Sequence, residues 1–245
     1  MEPLPTRPAP LTALTGRVVA VAGAGGNLGP AVVERLARAG SRLCLCGRRP
    51  EALRELARSL EAEADVDAVD LLDAGAARAW ADGLAHRHGR VDALVHLVGG
   101  WRGGRPIEEA PLSEWDELED LLVRTLQHAT QAFAPHLLAS GRGRVVVVSS
   151  GQAQAPTHKN AAYAAAKAAA EAWTLALADR FRGTGATANI VVVGAIVTPA
   201  MRREAPEKDY SAFTPAEEIA EAIAYLCSDA AASMNGQRLT LRGAR

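Results

Sequence analysis

Tyr163 and Lys167 stand four residues apart in the alanine-rich stretch Asn160-Ala161-Ala162-Tyr163-Ala164-Ala165-Ala166-Lys167. On a helix that spacing puts both side chains on one face. Such a pair is ordinary on an alanine-rich helix; what sharpens it is Ser149-Ser150-Gly151 just upstream, closing the run Val145-Val146-Val147-Val148. A hydroxyl at a strand end and a phenol on the next helix converge on one crevice. The chemistry open to such a set is carbonyl reduction and its reverse, because a hydride delivered to a carbonyl leaves an alkoxide that must be protonated. A phenol titrates near 10 and is a poor acid–base group at neutral pH without a cation beside it. Bringing it to about 7 takes roughly 4 kcal/mol, within reach of a lysine and a second positive charge. Tyr163 is the candidate acid–base group, Lys167 its cation, and Ser150 the hydroxyl that polarises the substrate oxygen.

A site for the hydride carrier is legible near the start. The run Arg17–Ala22 leads into Gly23-Ala24-Gly25-Gly26-Asn27-Leu28-Gly29-Pro30, after which a helical pattern begins. Glycines permit a tight turn and close backbone approach, and the free N–H groups of a first helical turn face an anion such as a pyrophosphate. An ordinary turn would also tolerate glycines; the strand before and helix after favour phosphate binding by Gly23, Gly25, Gly26, Asn27, Leu28 and Gly29. The end of the second strand separates the two nicotinamide dinucleotides, since an acid there binds the ribose diol and an arginine pairs with a 2′-phosphate. Cys46-Gly47-Arg48-Arg49 offers no acid. NADP(H) is therefore favoured over NAD(H), with Arg48 the main contact and Arg49 beside it. Asp70, followed by Leu71, could accept from the adenine amino group, although aspartate at a strand end is also a turn former. Val98, Gly99 and Gly100 follow the fourth strand and belong to the same crevice.

The elements that must position these groups alternate along the whole chain. Strands are expected at Arg17–Ala22, Arg42–Cys46, Val66–Val69, Asp92–Leu97, Arg144–Ser149, Ala188–Val193 and Arg238–Leu241. Helices are expected at Leu28–Ala39, Pro50–Ala62, Ala74–His88, Leu112–Ala139, Ala161–Arg182 and Pro215–Cys227, the last opened by Thr214 as N-cap with Glu217 three residues on. Continuous apolar strands indicate a parallel sheet buried on both faces. The alternation predicts one α/β domain over 15–245, a doubly wound sheet of about seven parallel strands with helices on both faces, preceded by a loose tail over 1–14. Ligands of such sheets sit at the carboxyl ends of the strands.

Composition narrows the classes. The 245 residues are 49% hydrophobic and 22% charged, enough for a large core, and 27 Lys and Arg balance 28 Asp and Glu. That balance gives no reason to expect a nucleic-acid or membrane partner, so the expected partner is a small molecule. No apolar run is long enough to span a bilayer and the proline-rich start lacks the apolar stretch of a leader, which points to the cytoplasm. Cys44 and Cys46, expected on opposite faces of one strand, and Cys227 suit neither a disulfide framework nor a zinc site; no metal is expected. His86 and His88 read as helix-end groups, His96 as a packed neutral imidazole, and the acidic run Glu114 to Asp120 as a solvated helix face. Substrate contacts are sought in Trp101, which could stack on a flat substrate or pack under the 202–213 segment, in Gln152 and His158 between Ser150 and Tyr163, and in Met201.

Taken in order, these features resemble the short-chain dehydrogenase/reductase family from residue 14 to 245, with its Rossmann-type fold. The matching residues are the Gly-rich turn at 23–29, Asp70, Val91-Asp92-Ala93-Leu94-Val95 before Gly99, Ser150 thirteen residues ahead of Tyr163, the Tyr-x-x-x-Lys pair, Asn189, Gly194, Thr198-Pro199, Asn235-Gly236-Gln237 and Gly243. The resemblance implies Tyr163 as general acid/base, Lys167 on the nicotinamide ribose, Ser150 orienting the carbonyl, and Ile196 and Thr198 at the nicotinamide carboxamide. It also implies a homodimer or homotetramer through the 112–139 and 161–182 helices. The sequence departs from the family at Asn27, at His96-Leu97-Val98-Gly99, at Val193, and at Leu122, which aligns with a helix asparagine that holds a relay water. Val98-Gly99-Gly100-Trp101-Arg102-Gly103-Gly104 and the 198–215 stretch are similar to the dihydropteridine reductase branch. Leu122 and the altered 96–99 segment keep a second reading open: a dinucleotide-binding sensor or scaffold with little or no catalysis.

Overall fold

The computed structural model describes residues 13–59 and 64–241. In chain order its elements are β1 (Val18–Ala22), α1 (Gly29–Arg38), β2 (Arg42–Gly47), α2 (Pro50–Ser59), β3 (Ala64–Ala68), α3 (Ala74–His88), β4 (Ala93–His96), α4 (Ser113–Leu118), α5 (Thr125–Ala139), β5 (Arg144–Ser150), α6 (Ala161–Arg180), β6 (Thr187–Val193), β7 (Ile196–Val197), α7 (Pro199–Glu204), β8 (Thr214–Pro215), α8 (Ala216–Cys227) and β9 (Arg238–Thr240). Among the described residues seven strands form one parallel sheet in the order β3-β2-β1-β4-β5-β6-β9. The strand order reverses between β1 and β4, which opens a crevice at their carboxyl ends.

Alternation along each strand feeds two cores. Val19 and Val21 of β1 face Val32, Val33 and Leu36 of α1 and Ile219 and Ile223 of α8. Val18, Ala20 and Ala22 face α3 and α5, where the Trp80 and Phe133 rings meet edge to face at 4.8 Å. The closing Asn235-Gly236-Gln237 turn seats β9 beside β6: Asn235 accepts from the Ala188 amide, and the Asn189 side chain donates to the Met234 carbonyl and accepts from the Gln237 amide.

Four expectations are corrected. Cys44 and Cys46 lie on the same face, in one core cluster, because residues two apart in a strand point the same way. The 112–139 helix is broken by a π-helical turn over Glu119–Arg124, and the Thr125 hydroxyl donates to the Leu121 carbonyl at 2.8 Å. Thr214 does not cap α8: it pairs with Ile196 in a two-stranded ladder, its buried hydroxyl lacks a partner, and the helix starts at Ala216. Leu14, placed in the tail, is fully buried, and its amide donates to the Ala39 carbonyl. The rest of that tail up to residue 12, the end expected for α2 and Gly243 lie outside the described residues.

Candidate active site

Strand β5 delivers Ser150 to the carboxyl edge of the sheet, opposite Val193 of β6. The 3-10 turn Gly151–Ala153 and a short loop then reverse the chain into α6, whose first turns carry Tyr163 and Lys167. The three side chains meet. Lys167 Nζ donates to the Val148 carbonyl at 2.9 Å and lies 5.9 Å from the centroid of the Tyr163 ring, while Ser150 lies close enough to the Tyr163 phenol to lower its pKa.

Electrostatics at this edge departs from expectation in one respect. Burial raises the Tyr163 pKa and only the Ser150 hydrogen bond opposes it, so the chain's own groups do not make the phenol more acidic. Lys167 is 8% exposed, and burial pulls its ammonium down to about 8, with the negative charge of Glu171 acting the other way. His96, at the end of β4, is buried beside Thr125; burial and the Lys167 charge push it down to about 3, which keeps the imidazole neutral. Leu122 lies in the π turn, buried in a cluster with Leu118, Val123 and Ala166 against which Tyr163 packs.

The Gly-rich turn has the form a dinucleotide needs. Gly23 has φ +79°, and a Cβ there would stand 2.7 Å from the Val98 amide; one on Gly29 would stand 1.7 Å from the Ala24 carbonyl oxygen. Both positions exclude a side chain, so β1, β4 and the start of α1 close up tightly, with Gly25, Gly26 and Asn27 left exposed. The Gly23 amide donates to the Cys46 carbonyl, bringing the end of β2 alongside, and Arg48 and Arg49 are exposed in the turn that follows. Leu28 precedes α1 and is buried. Asp70 Oδ1 accepts from the Leu72 amide in a turn, and Leu71 is buried, its carbonyl facing His128 Nδ1 at 2.9 Å. Val98, Gly99 and Gly100 run past the crevice, with a Cβ on Gly99 falling 3.7 Å from Leu122. The described residues thus fit a dinucleotide along the carboxyl edge.

Two loops meet beside Ser150 and Tyr163. The Gly104 amide donates to the Lys159 carbonyl at 2.7 Å, and the Trp101 ring lies over Gly103 and Gly104, 54% exposed. His158 is exposed on the facing loop, and Gln152 carries a buried Oε1 with no partner. On the far side Ile196 belongs to the β7–β8 ladder, while Thr198 accepts from the Met201 amide and thereby caps α7. Tyr210 donates to the Met201 carbonyl and is flanked by Arg202 and Lys208, each 5.4 Å from its ring centroid.

Away from this edge, His136 pairs with Asp82 and His88 with Asp65, while His86 is exposed on the last turn of α3. Glu117, Glu119 and Asp120 of the acidic run pair with Arg102 and Arg124. Cys44, Asp65 and His88 bring ligand atoms within 4.8 Å of one another, a grouping hidden in the linear sequence because three elements supply it. Asp65 also binds Arg87 at 3.1 Å, and burial holds the Cys44 thiol up at about 12, so the thiol stays protonated. Sequence reasoning missed Glu171 beside Tyr163 and Lys167. Its signal was its place eight residues after Tyr163 on the same stripe of helix.

A family model for short chain dehydrogenases matches residues 17–209. The D-threitol dehydrogenase of Mycolicibacterium smegmatis is 29% identical over 242 residues, 94% of this chain and 93% of that protein. Among solved structures, a gluconate 5-dehydrogenase from Burkholderia cenocepacia in complex with NADP and tartrate superposes with a TM-score of 0.84 at 25% identity, covering 95% of this chain and 96% of that one. An NAD+-bound xylitol dehydrogenase superposes with a TM-score of 0.84 at 23% identity over 94% and 98% of the two chains and shares the fold. None of the described helices is long and apolar enough to cross a membrane.

Proposed function

This chain belongs to the short-chain dehydrogenase family, and on that premise we propose that it is an NAD(P)-dependent oxidoreductase acting on a carbonyl, alcohol or quinonoid small molecule. The observation that carries the reading is the convergence of Ser150, Tyr163 and Lys167 at the carboxyl end of β5. Dinucleotides are bound by the similar gluconate 5-dehydrogenase, as NADP, and by the xylitol dehydrogenase, as NAD+. Arg48 and the missing acid after β2 favour NADP(H) here.

The exposed backbone of Gly25, Gly26 and Asn27 and the start of α1 hold the pyrophosphate. Arg48, with Arg49 beside it, pairs with the 2′-phosphate, and Lys167 binds the nicotinamide ribose. Ile196 and Thr198 flank the carboxamide. When bound, the dinucleotide supplies or accepts the hydride. Tyr163 Oη gives a proton to the substrate oxygen during reduction and takes it back during oxidation, and Ser150 Oγ orients that oxygen. Burial leaves the phenol weakly acidic in the chain alone, and the positive charge of an oxidised nicotinamide would favour its phenolate. Trp101, Gln152, His158 and Met201 surround the place where the substrate enters, and small residues of α6, including exposed Ala165 and Ala168, support pairing of two copies through α5 and α6.

The test is turnover. Purified protein with NADPH or NADH and a panel of ketones, sugars, quinones and quinonoid pterins should consume reduced nicotinamide, followed by its absorbance. Tyr163→Phe should cut the rate by at least about a hundredfold while thermal stability stays close to that of the parent. Dinucleotide binding with no turnover across the panel would select the sensor or scaffold reading, for which the apolar Leu122 in the π turn speaks.

A further inference from the structure

Glu171 lies one helical turn beyond Lys167 and two beyond Tyr163, and it is 2% exposed. A buried carboxylate is costly unless its oxygens are satisfied. This one accepts from Ser149 Oγ at 2.5 Å, from Gln154 Nε2 at 2.6 Å and from Arg238 Nε at 2.6 Å. Ser149 immediately precedes Ser150, and Gln154 closes the turn that follows it. One carboxylate therefore grips the chain on both sides of Ser150 and ties that segment to α6 and to β9.

The charged and titratable groups around Lys167 come from three elements. On α6 itself they are Tyr163 and Glu171. Strand β4 brings neutral His96, and β9 brings Arg238, whose guanidinium pairs with Glu171. Strand β5 offers only uncharged groups, the Val148 carbonyl and the two serines. Glu171, one helical turn on, is thus the anion whose charge acts on the buried ammonium, and Arg238 pairs with the same carboxylate.

We propose that Glu171 is the positioning residue of the Ser150–Tyr163–Lys167 set: its carboxylate clamps the strand end and turn that carry Ser150 and supplies the counter-charge that keeps the buried Lys167 ammonium charged. Burial alone would release the Lys167 proton more readily, and Glu171 opposes that. The inference rests on the oxidoreductase reading for its effect on turnover, but the titration below does not need turnover.

The chain has three lysines, Lys159, Lys167 and Lys208, and of these only Lys167 is buried. Protein labelled with 13C at lysine Cε should therefore give three NMR signals, one of them titrating abnormally low. Glu171→Gln should lower the Lys167 midpoint by about one unit, a tenfold weaker hold on the proton. Arg238→Gln should raise it, since removing the competing cation strengthens the pull of Glu171. A midpoint unmoved by Glu171→Gln, or a downward shift with Arg238→Gln, overturns the proposal. If Glu171→Gln does not fold, Glu171→Asp takes its place: the shorter carboxylate, drawn back from its partners, should lower the Lys167 midpoint by less than the full unit, and an unmoved midpoint overturns the proposal. The alkaline limb of turnover should follow the midpoint, and a limb that stays fixed while the midpoint moves overturns the role in catalysis. If no variant or parent turns over any substrate, the oxidoreductase reading fails while the titration still decides Glu171.

Discussion

The two ends of the sheet both bury charge, and they do it differently. At the amino end, Asp92 is fully buried and accepts from the Val18 amide, Arg90, Ser140 and Arg142. Buried Arg17 and Arg144 beside it donate to the Arg142, Gly143, Gly185 and Ser228 carbonyls and share Asp229. Burial would raise the Asp92 carboxyl, yet the bonds from Arg90, Val18 and Ser140 hold it below the usual range. At the carboxyl end, Lys167 has one carbonyl partner and a pKa pulled down to about 8, and Tyr163 is raised. A saturated charge staples strands together; an under-satisfied one stays available to a ligand. At the carboxyl end the saturated charge is Glu171, which ties β5, α6 and β9 together, and the under-satisfied one beside it is Lys167.

The largest effect expected from breaking that contrast lies at the scaffold end. Asp92→Ala should cost about 3 kcal/mol in denaturant unfolding, because several donors lose a buried anion at once. Dinucleotide affinity of the folded fraction should stay unchanged. A loss below about 1 kcal/mol would mean that the amino-end network is not a staple.

Next in size is Arg48→Ala at the open end. It should weaken NADPH binding roughly thirtyfold, about 2 kcal/mol, and leave NADH nearly untouched, as read by dinucleotide fluorescence. Equal losses for both would remove the phosphate role from Arg48.

The smallest effect is a pH slope. His96 is pushed from its usual range down to about 3, chiefly by burial. Between 6.5 and about 3 the unfolded chain therefore binds more protons than the native one, so stability falls as pH falls through that window. One unit into it, near pH 5.5, the loss should reach about 1 kcal/mol, and His96→Asn should flatten it. Lys167 acts with the same sign in another window, between about 8 and 10.5, where stability should rise with pH as the buried ammonium is relieved. A variant that keeps the parent's acid slope would show that other groups set it.

Much of this architecture was legible in advance. Continuous apolar strands alternating with amphipathic helices fixed a doubly wound parallel sheet, and α3 runs over Ala74–His88 as its pattern predicts. What misled was local: Thr214 has the type and spacing of a cap, but a two-stranded ladder claims it, and nothing in a helix period announces the π turn at Glu119–Arg124. Cys44 and Cys46 share a face, as the two-residue period of a strand requires.

By itself the sequence determined the fold class, a doubly wound parallel sheet, and the tight form of the Gly-rich turn, and it singled out Ser150, Tyr163 and Lys167 as candidates, because strand and helix periods and glycine's lack of a Cβ act over a few neighbouring residues. Only the tertiary structure decided how those groups are charged and what they lean on. Glu171 reaches Ser149, Gln154 and Arg238 from 22, 17 and 67 residues away, and His96 meets the charge of Lys167 across two elements. Burial and charge pairing are properties of assembled surroundings, and no window of sequence contains them.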